Sequence, residues 1–250
     1  MKTLKVVSLL LCLGLLPIAG QSAQAGVMAE QTRLIFTEGQ RQRSLMLANT
    51  NTYPVVVQTW IDNGEGDRAP ENAVAPMIAL PSVFRLQPGA LQGLRIIYSG
   101  DPLPKDRESV IWLNLYEIPP AKAHATDTTQ VAVAMNTQMK IFYRPKGLSS
   151  LPEQVPAALT FRLEKQNADW VLVCRNNSPY HASFSSLRLV TGAGEQPVTK
   201  SLDMMAPPLS EKRYGLDLST STDTGAIQVR YTLIDDNGHY QDGNATLQPH

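Results

Sequence analysis

Residues able to make or break bonds are few in this chain and poorly placed for it. The four histidines, His124, His181, His239 and His250, are scattered with no ligand spacing. A zinc protease would need His-Glu-x-x-His, a serine hydrolase Gly-x-Ser-x-Gly and a lactamase-type nucleophile Ser-x-x-Lys, and none of these patterns occurs. Cys174 and His181 flank Ser178-Pro179, but a copper cage on a sandwich wants one Cys and two His. The sequence therefore predicts no catalytic residues, no metal and no cofactor. What remains is charge. Taken alone, Arg33 and Lys140 read as solvated surface cations. Asp236 reads as a hairpin residue in Asp235-Asp236-Asn237-Gly238, where Asn-Gly favours a tight turn.

The first 25 residues read as an address. Lys2 and Lys5 form a basic start, Val6 to Ile18 is apolar apart from Ser8, Gly14 and Pro17, and Ala23-Gln24-Ala25 is a small-x-small cleavage pattern. Cleavage is expected after Ala25. The apolar run is short for a bilayer span, which needs about 20 residues, and no second run follows. An exported, soluble protein without membrane insertion is expected. With Lys2 and Lys5 removed from the 22 basic residues, 20 stand against 22 acidic ones, a formal charge of −2. That balance offers no footprint for nucleic acid or an anionic membrane. Cys174 is then the lone thiol, so no internal disulfide can form, and its setting in Trp170-Val171-Leu172-Val173 suggests an inert strand residue.

The elements that must position any site are strands. Apolar residues recur with period two over Leu34–Phe36, Ser44–Asn49, Val55–Ile61, Leu94–Tyr98, Val110–Ile118 and Gln130–Tyr143. A second series covers Leu159–Leu163, Trp170–Cys174, Ala182–Val190, Pro197–Leu202, Arg213–Leu218 and Ile227–Ile234. Turn clusters separate them, and Arg144-Pro145-Lys146-Gly147 with Pro152 breaks the two series apart. The expectation is an all-β chain of two immunoglobulin-like β-sandwiches, at 26–146 and 147–250 after a leader at 1–25. Val110 to Tyr116 is apolar on both faces, which predicts a central strand buried on both sides. Gln130 to Tyr143 is far longer than an ordinary strand and would reach roughly 45 Å. One face carries Val131, Val133, Met135, Thr137 and Met139, the other Asn136, Gln138 and Lys140. A strand outrunning its own domain leaves apolar side chains and backbone groups that another chain must cover.

Leu103 to Pro120, with Glu108, Asn114 and Pro119 at its fixed positions, resembles the signature of the periplasmic pilus-assembly chaperones. Thr32-Arg33-Leu34-Ile35-Phe36, Gln58-Thr59-Trp60-Ile61 and Lys140-Ile141-Phe142-Tyr143-Arg144-Pro145 agree in order and spacing, and Ile234 to Gly238 extends the likeness into the second half.

The resemblance implies two immunoglobulin-like domains in a boomerang arrangement. It implies a periplasmic, non-catalytic protein that binds, folds and caps pilus subunits by strand donation and delivers them to an outer-membrane usher. A self-capping oligomer is a further possibility for the empty protein. By the same likeness Arg33 and Lys140 anchor the client's C-terminal carboxylate, Val131, Val133, Met135 and Thr137 form the donor face, and Glu108, Arg144 and Asp236 form ion pairs between the domains. Strict alternation puts Lys140 on the face opposite Val133 and Met135. Either a bulge intervenes or the cleft sees both faces, and the sequence leaves both open. The short connection from Ala121 to Thr129 resembles chaperones of rod-like pili. A pilus subunit would instead carry a disulfide and a disordered N-terminal arm. A sugar-binding or hydrolytic sandwich would carry aromatic platforms or paired loop carboxylates.

Overall fold

The computed structural model describes residues 26–64, 70–120, 133–167, 169–192, 194–217 and 228–248. In chain order the first domain holds β1 (Val27–Ala29), β2 (Arg33–Thr37), β3 (Gln42–Asn49), β4 (Val55–Asp62), β5 (Met77–Leu80), β6 (Val83–Leu86), β7 (Leu91–Tyr98), β8 (Ser109–Ile118) and β9 (Met135–Arg144). The second holds β10 (Leu159–Gln166), β11 (Asp169–Asn176), β12 (Ala182–Thr191), β13 (Gly194–Pro197), β14 (Met205–Ala206), β15 (Ser210–Leu216), β16 (Gln228–Ile234) and β17 (Tyr240–Thr246).

Each domain is a pair of sheets closed over one core. In the first, β1-β3-β7-β5 packs against β2-β9-β8-β4-β6. Leu34, Phe36, Leu45, Leu47, Leu94, Ile96, Ile111, Leu113 and Ile141 meet between them, at alternate positions of their strands as period two requires. In the second, β10-β11-β15 faces β13-β12-β16-β17, with β14 beside β12, around Phe161, Leu172, Cys174, Phe184, Tyr214 and Tyr231. Cys174 is fully buried, and its burial pushes the thiol up to about 12, which keeps it neutral and inert.

The two sandwiches reuse one polar device. Asn49 closes β3 and Asn176 closes β11. The side-chain oxygen of each accepts the backbone N–H two residues on, while Nδ2 donates to two carbonyls: Tyr53 and Leu86 for Asn49, Tyr180 and Ala206 for Asn176. Both amides are buried and both are satisfied, as burial of a polar group demands.

The start of the chain changes sheets. β1 runs antiparallel to β3, and β2, three residues later, runs parallel to β9 in the opposite sheet from Arg33↔Lys140 to Thr37↔Arg144. β8 lies on the other side of β9, from Ser109↔Tyr143 to Glu117↔Met135.

Three expectations change. The long strand read over Gln130–Tyr143 is Met135–Arg144 among the described residues. Val133 and Ala134 make no ladder: the β8–β9 pairing ends at Glu117↔Met135, and Pro119, which follows β8, has no N–H to extend it. The strand read over Pro197–Leu202 is absent. Pro197 ends β13, Val198 makes a single bridge to Leu216, and Leu202 is fully exposed on the way to β14. Finally, β8 is central but fully buried on one face only. Ile111, Leu113 and Leu115 enter the core, while Trp112 and Tyr116 are half-covered on the outer face by Lys140 and Trp60. β17 escaped the pattern because Tyr-Gln-Asp-Gly-Asn-Ala-Thr is polar, and β1, β5 and β6 are too short to show alternation.

Candidate functional site

β9 carries the site because it has neighbours along only part of its length. β2 joins it at Lys140, so among the described residues Met135 to Met139 are paired with β8 alone and present an open edge. Below that point the strand is sealed on both sides. Above it, Val133 is 74% exposed and Met135 44% exposed, and Thr137 is exposed beside them. Val131 and the 121–129 connection lie outside the described residues. Apolar side chains beside unpaired strand backbone make a surface that a further strand would complete.

The facing of Lys140 is now defined. The β8–β9 register runs unbroken, so no bulge lies within β9. Met139, Ile141 and Tyr143 enter the first domain's core, and Met135 and Thr137 continue that face outward. Lys140, Phe142 and Arg144 occupy the other face and point to the second domain. The cleft therefore uses one face of β9 and the open edge continues the other.

On the cleft face, Arg33 and Lys140 share one register position of the parallel pair. Lys140 Nζ lies 3.3 Å from Asp203 of the second domain and 5.0 Å from the centre of the Trp112 ring. Burial lowers its pKa; Asp203 opposes that, whereas Arg33 and Lys212 add to it. Arg33 is buried. Its Nη1 donates to the Ile234 carbonyl at 3.0 Å, its guanidinium sits over Phe142, and its Nε finds no acceptor among the described residues. Burial lowers its pKa too, against the pull of Asp236, Asp235 and Glu108. Two partly desolvated cations this close favour an anion between them.

The structure brings Glu108, Arg144 and Asp236 together where the domains meet. Arg144 Nε donates to Glu108 Oε2 at 2.6 Å, and its two terminal nitrogens grip Asp236 at 2.5 and 2.6 Å. Burial by itself would lower the pKa of Arg144, but Asp236 and Glu108 together outweigh it and raise it. Glu108 is almost wholly buried, and its Oε1 accepts the His181 backbone N–H at 2.9 Å and lies 2.8 Å from Nδ1. The hairpin after β16 divides its labour. Asp235 caps the turn through the N–H groups of Asn237 and His239, which leaves Asp236 free for Arg144. Gly238 has φ +84°, and a Cβ there would fall 2.6 Å from Thr32 Oγ1, so the hairpin's approach to the first domain requires glycine.

Asp203 and His181 were not legible as site residues. Asp203 belongs to a stretch without sequence pattern, and His181 stood out only as a possible metal ligand. It bonds Glu108 instead, while Cys174 lies in the second domain's core. Among the described residues no group of His, Cys, Asp or Glu could hold a metal ion.

Comparison with known proteins agrees along nearly the whole length. Residues 26–149 match the family described as "Pili and flagellar-assembly chaperone, PapD N-terminal domain", and residues 154–245 match "Pili assembly chaperone PapD, C-terminal domain". The chaperone protein FimB/FhaD of Bordetella pertussis is 34% identical over 221 residues, covering 87% of this chain and 86% of that protein. The probable fimbrial chaperone YadV of Escherichia coli is 32% identical over 231 residues, covering 90% of this chain and 92% of the relative. Its crystal structure superposes with a TM-score of 0.74 over 88% of this chain and 99% of that one, at 30% identity. The CupB2 chaperone of Pseudomonas aeruginosa gives a TM-score of 0.72 at 32% identity, over 88% of this chain and 100% of the other.

Proposed function

The chain belongs to the family of pili-assembly chaperones, and from that premise we propose that it holds pilus subunits in the periplasm by lending them the open edge of β9. Chaperone–pilin complementation is itself a known case of strand addition, in which backbone bonds give affinity and alternate side chains give specificity. A subunit lacking one strand leaves buried N–H and C=O groups unpaired, each costing about 1–3 kcal/mol. Met135 to Met139 offer the matching groups, and Val131, Val133, Met135 and Thr137 supply side chains for the subunit's groove.

One observation carries this reading: β2 begins to cover β9 only at Lys140, so the strand is secured below and open above. The two cations stand where the open edge begins. A client strand running along that edge would end its chain at Arg33 and Lys140, whose charges would bind its terminal carboxylate and fix its register. Arg33 Nε, which has no acceptor among the described residues, is a donor in waiting for such an oxygen. In this reading residues 1–25 are a leader removed after Ala25, the domains divide near Lys146 and Gly147, and an outer-membrane usher receives the loaded complex.

The test is recovery of the tagged protein from periplasm, with mass spectrometry of what elutes and hydrogen exchange on the complex. Pilus subunits should co-elute, and the alternate amides among Met135 to Met139 that point away from β8 should gain protection relative to the free chain. Subunits that bind without protecting those amides would remove strand donation from the account.

A further inference from the structure

Three carboxylates are buried among the described residues: Asp62, Glu108 and Glu117. Glu108 has Arg144. Asp62 is met by three neutral donors, Trp60 Nε1, Asn114 Nδ2 and the Gly64 N–H. Glu117 has two, the Val27 N–H on Oε2 at 2.8 Å and Asn51 Nδ2 on Oε1 at 2.7 Å, and no cation among the described residues. A buried carboxylate without a countercharge is expensive.

The segment next to Glu117 is the beginning of the exported chain. The Gly26 carbonyl is pinned by Thr50, whose N–H and Oγ1 both donate to it, at 3.0 and 2.7 Å. A Cβ built on Gly26 would lie 3.7 Å from Glu117 Oε2 and 3.1 Å from Met135 Cε. A residue's nitrogen lies about 2.5 Å from its own Cβ, so the Gly26 nitrogen is held in the neighbourhood of the carboxylate. A cleft of about 410 Å³ opens at the same place, between β1 and the upper part of β9, with Gly26, Leu115, Met135 and Thr137 in its wall.

We propose that leader removal completes this site: the new α-ammonium of Gly26 pairs with Glu117 and fastens β1 beside the donor edge. Hydrolysis of the Ala25–Gly26 bond leaves a carboxylate on Ala25 and an amine on Gly26, which takes a proton and becomes the cation Glu117 lacks. The proposal rests on the export reading above. The unprocessed chain carries a neutral amide at Gly26 and cannot form the pair, so the finished edge belongs to the processed protein. Glycine suits the position because any side chain would press on Met135.

The experiment compares two mature chains, one starting at Gly26 and one with a single Ser before it, each with Glu117 and with Glu117→Gln. The Ser extension should lower the melting temperature of the Glu117 protein by about 3–6 °C and leave that of Glu117→Gln nearly unchanged. Equal drops in both backgrounds, or none, overturn the pair. Should Glu117→Gln fail to fold, acylation of the α-amine decides the matter. The Gly26 amine should react at least several-fold more slowly than the extended one, and equal rates overturn the proposal. The intact mass of the periplasmic protein tests the cleavage reading separately. A start other than Gly26 removes that reading and this proposal with it, whereas a start at Gly26 without coupling removes the ion pair alone.

Discussion

Arg33 and Lys140 share one register position of the parallel β2–β9 pair, yet their side chains end on different groups of the second domain. Arg33 reaches the Ile234 carbonyl at 3.0 Å and Lys140 reaches Asp203 at 3.3 Å. Replacing Lys140 with Ala removes a half-exposed ion pair of the free protein, worth at most about 1 kcal/mol. The melting curve should stay near that of the parent while client recovery falls to background. Arg33→Ala should also lose clients, with a stability loss of about 1–2 kcal/mol because a charged donor to a carbonyl goes with it. Normal subunit levels in both mutants would end the carboxylate assignment.

Asp203 occupies Lys140 in the empty protein, so it competes with a client carboxylate for the same ammonium. Asp203→Asn removes the competing charge and keeps an acceptor for the Met205 N–H, which Asp203 Oδ1 now receives at 3.1 Å. A peptide bearing a subunit's C-terminal strand should bind about 2–5-fold more tightly, the equivalent of about 0.5–1 kcal/mol. Calorimetric titration at low salt would measure it. Weaker binding would mean that Asp203 helps to build the cation site instead of guarding it.

Arg144 joins two acids of unequal burial: 1% of the Glu108 side chain is exposed, against 38% for Asp236. Arg144→Ala leaves a buried carboxylate without its cation and should cost about 3–5 kcal/mol in urea unfolding. Asp236→Ala should cost under about 1 kcal/mol, since Asp235 still caps the hairpin. It should instead broaden the distribution of domain orientations in small-angle scattering. Equal destabilisation by the two changes would contradict this division.

Val133 is an apolar residue just beyond β9's outer end with no core of its own among the described residues. Val133→Glu should leave thermal unfolding within about 0.5 kcal/mol of the parent, because the side chain is exposed in the free protein. In a subunit groove the same carboxylate would be desolvated without a partner, so co-purified subunits should disappear. A large fall in melting temperature would place Val133 in a core and remove it from the donor face.

Much of this molecule is determined by local sequence. Period-two alternation places Leu34, Leu45, Leu47, Ile111 and Leu113 in the first core because a strand points successive side chains to opposite faces. The Pro and Gly cluster after Tyr143 ends β9, and the Asn-Gly pair turns β16 into β17. The charged residues at the cleft, Asp203 excepted, could be named from a signature, and the family likeness implied their roles. Their contacts could not be read that way, since Arg33, Lys140, Arg144, Asp203 and Asp236 are separated by up to 203 positions and meet only when two sandwiches dock. The same is true of the open edge. Alternation along 130–143 says which side chains share a face, but where β9 loses its neighbours depends on where β2 starts and β8 stops. Hydrogen bonds between strands are long-range pairings, so tertiary structure alone decided that β9, among the described residues, is paired on both edges from Lys140 onward and on one edge before it.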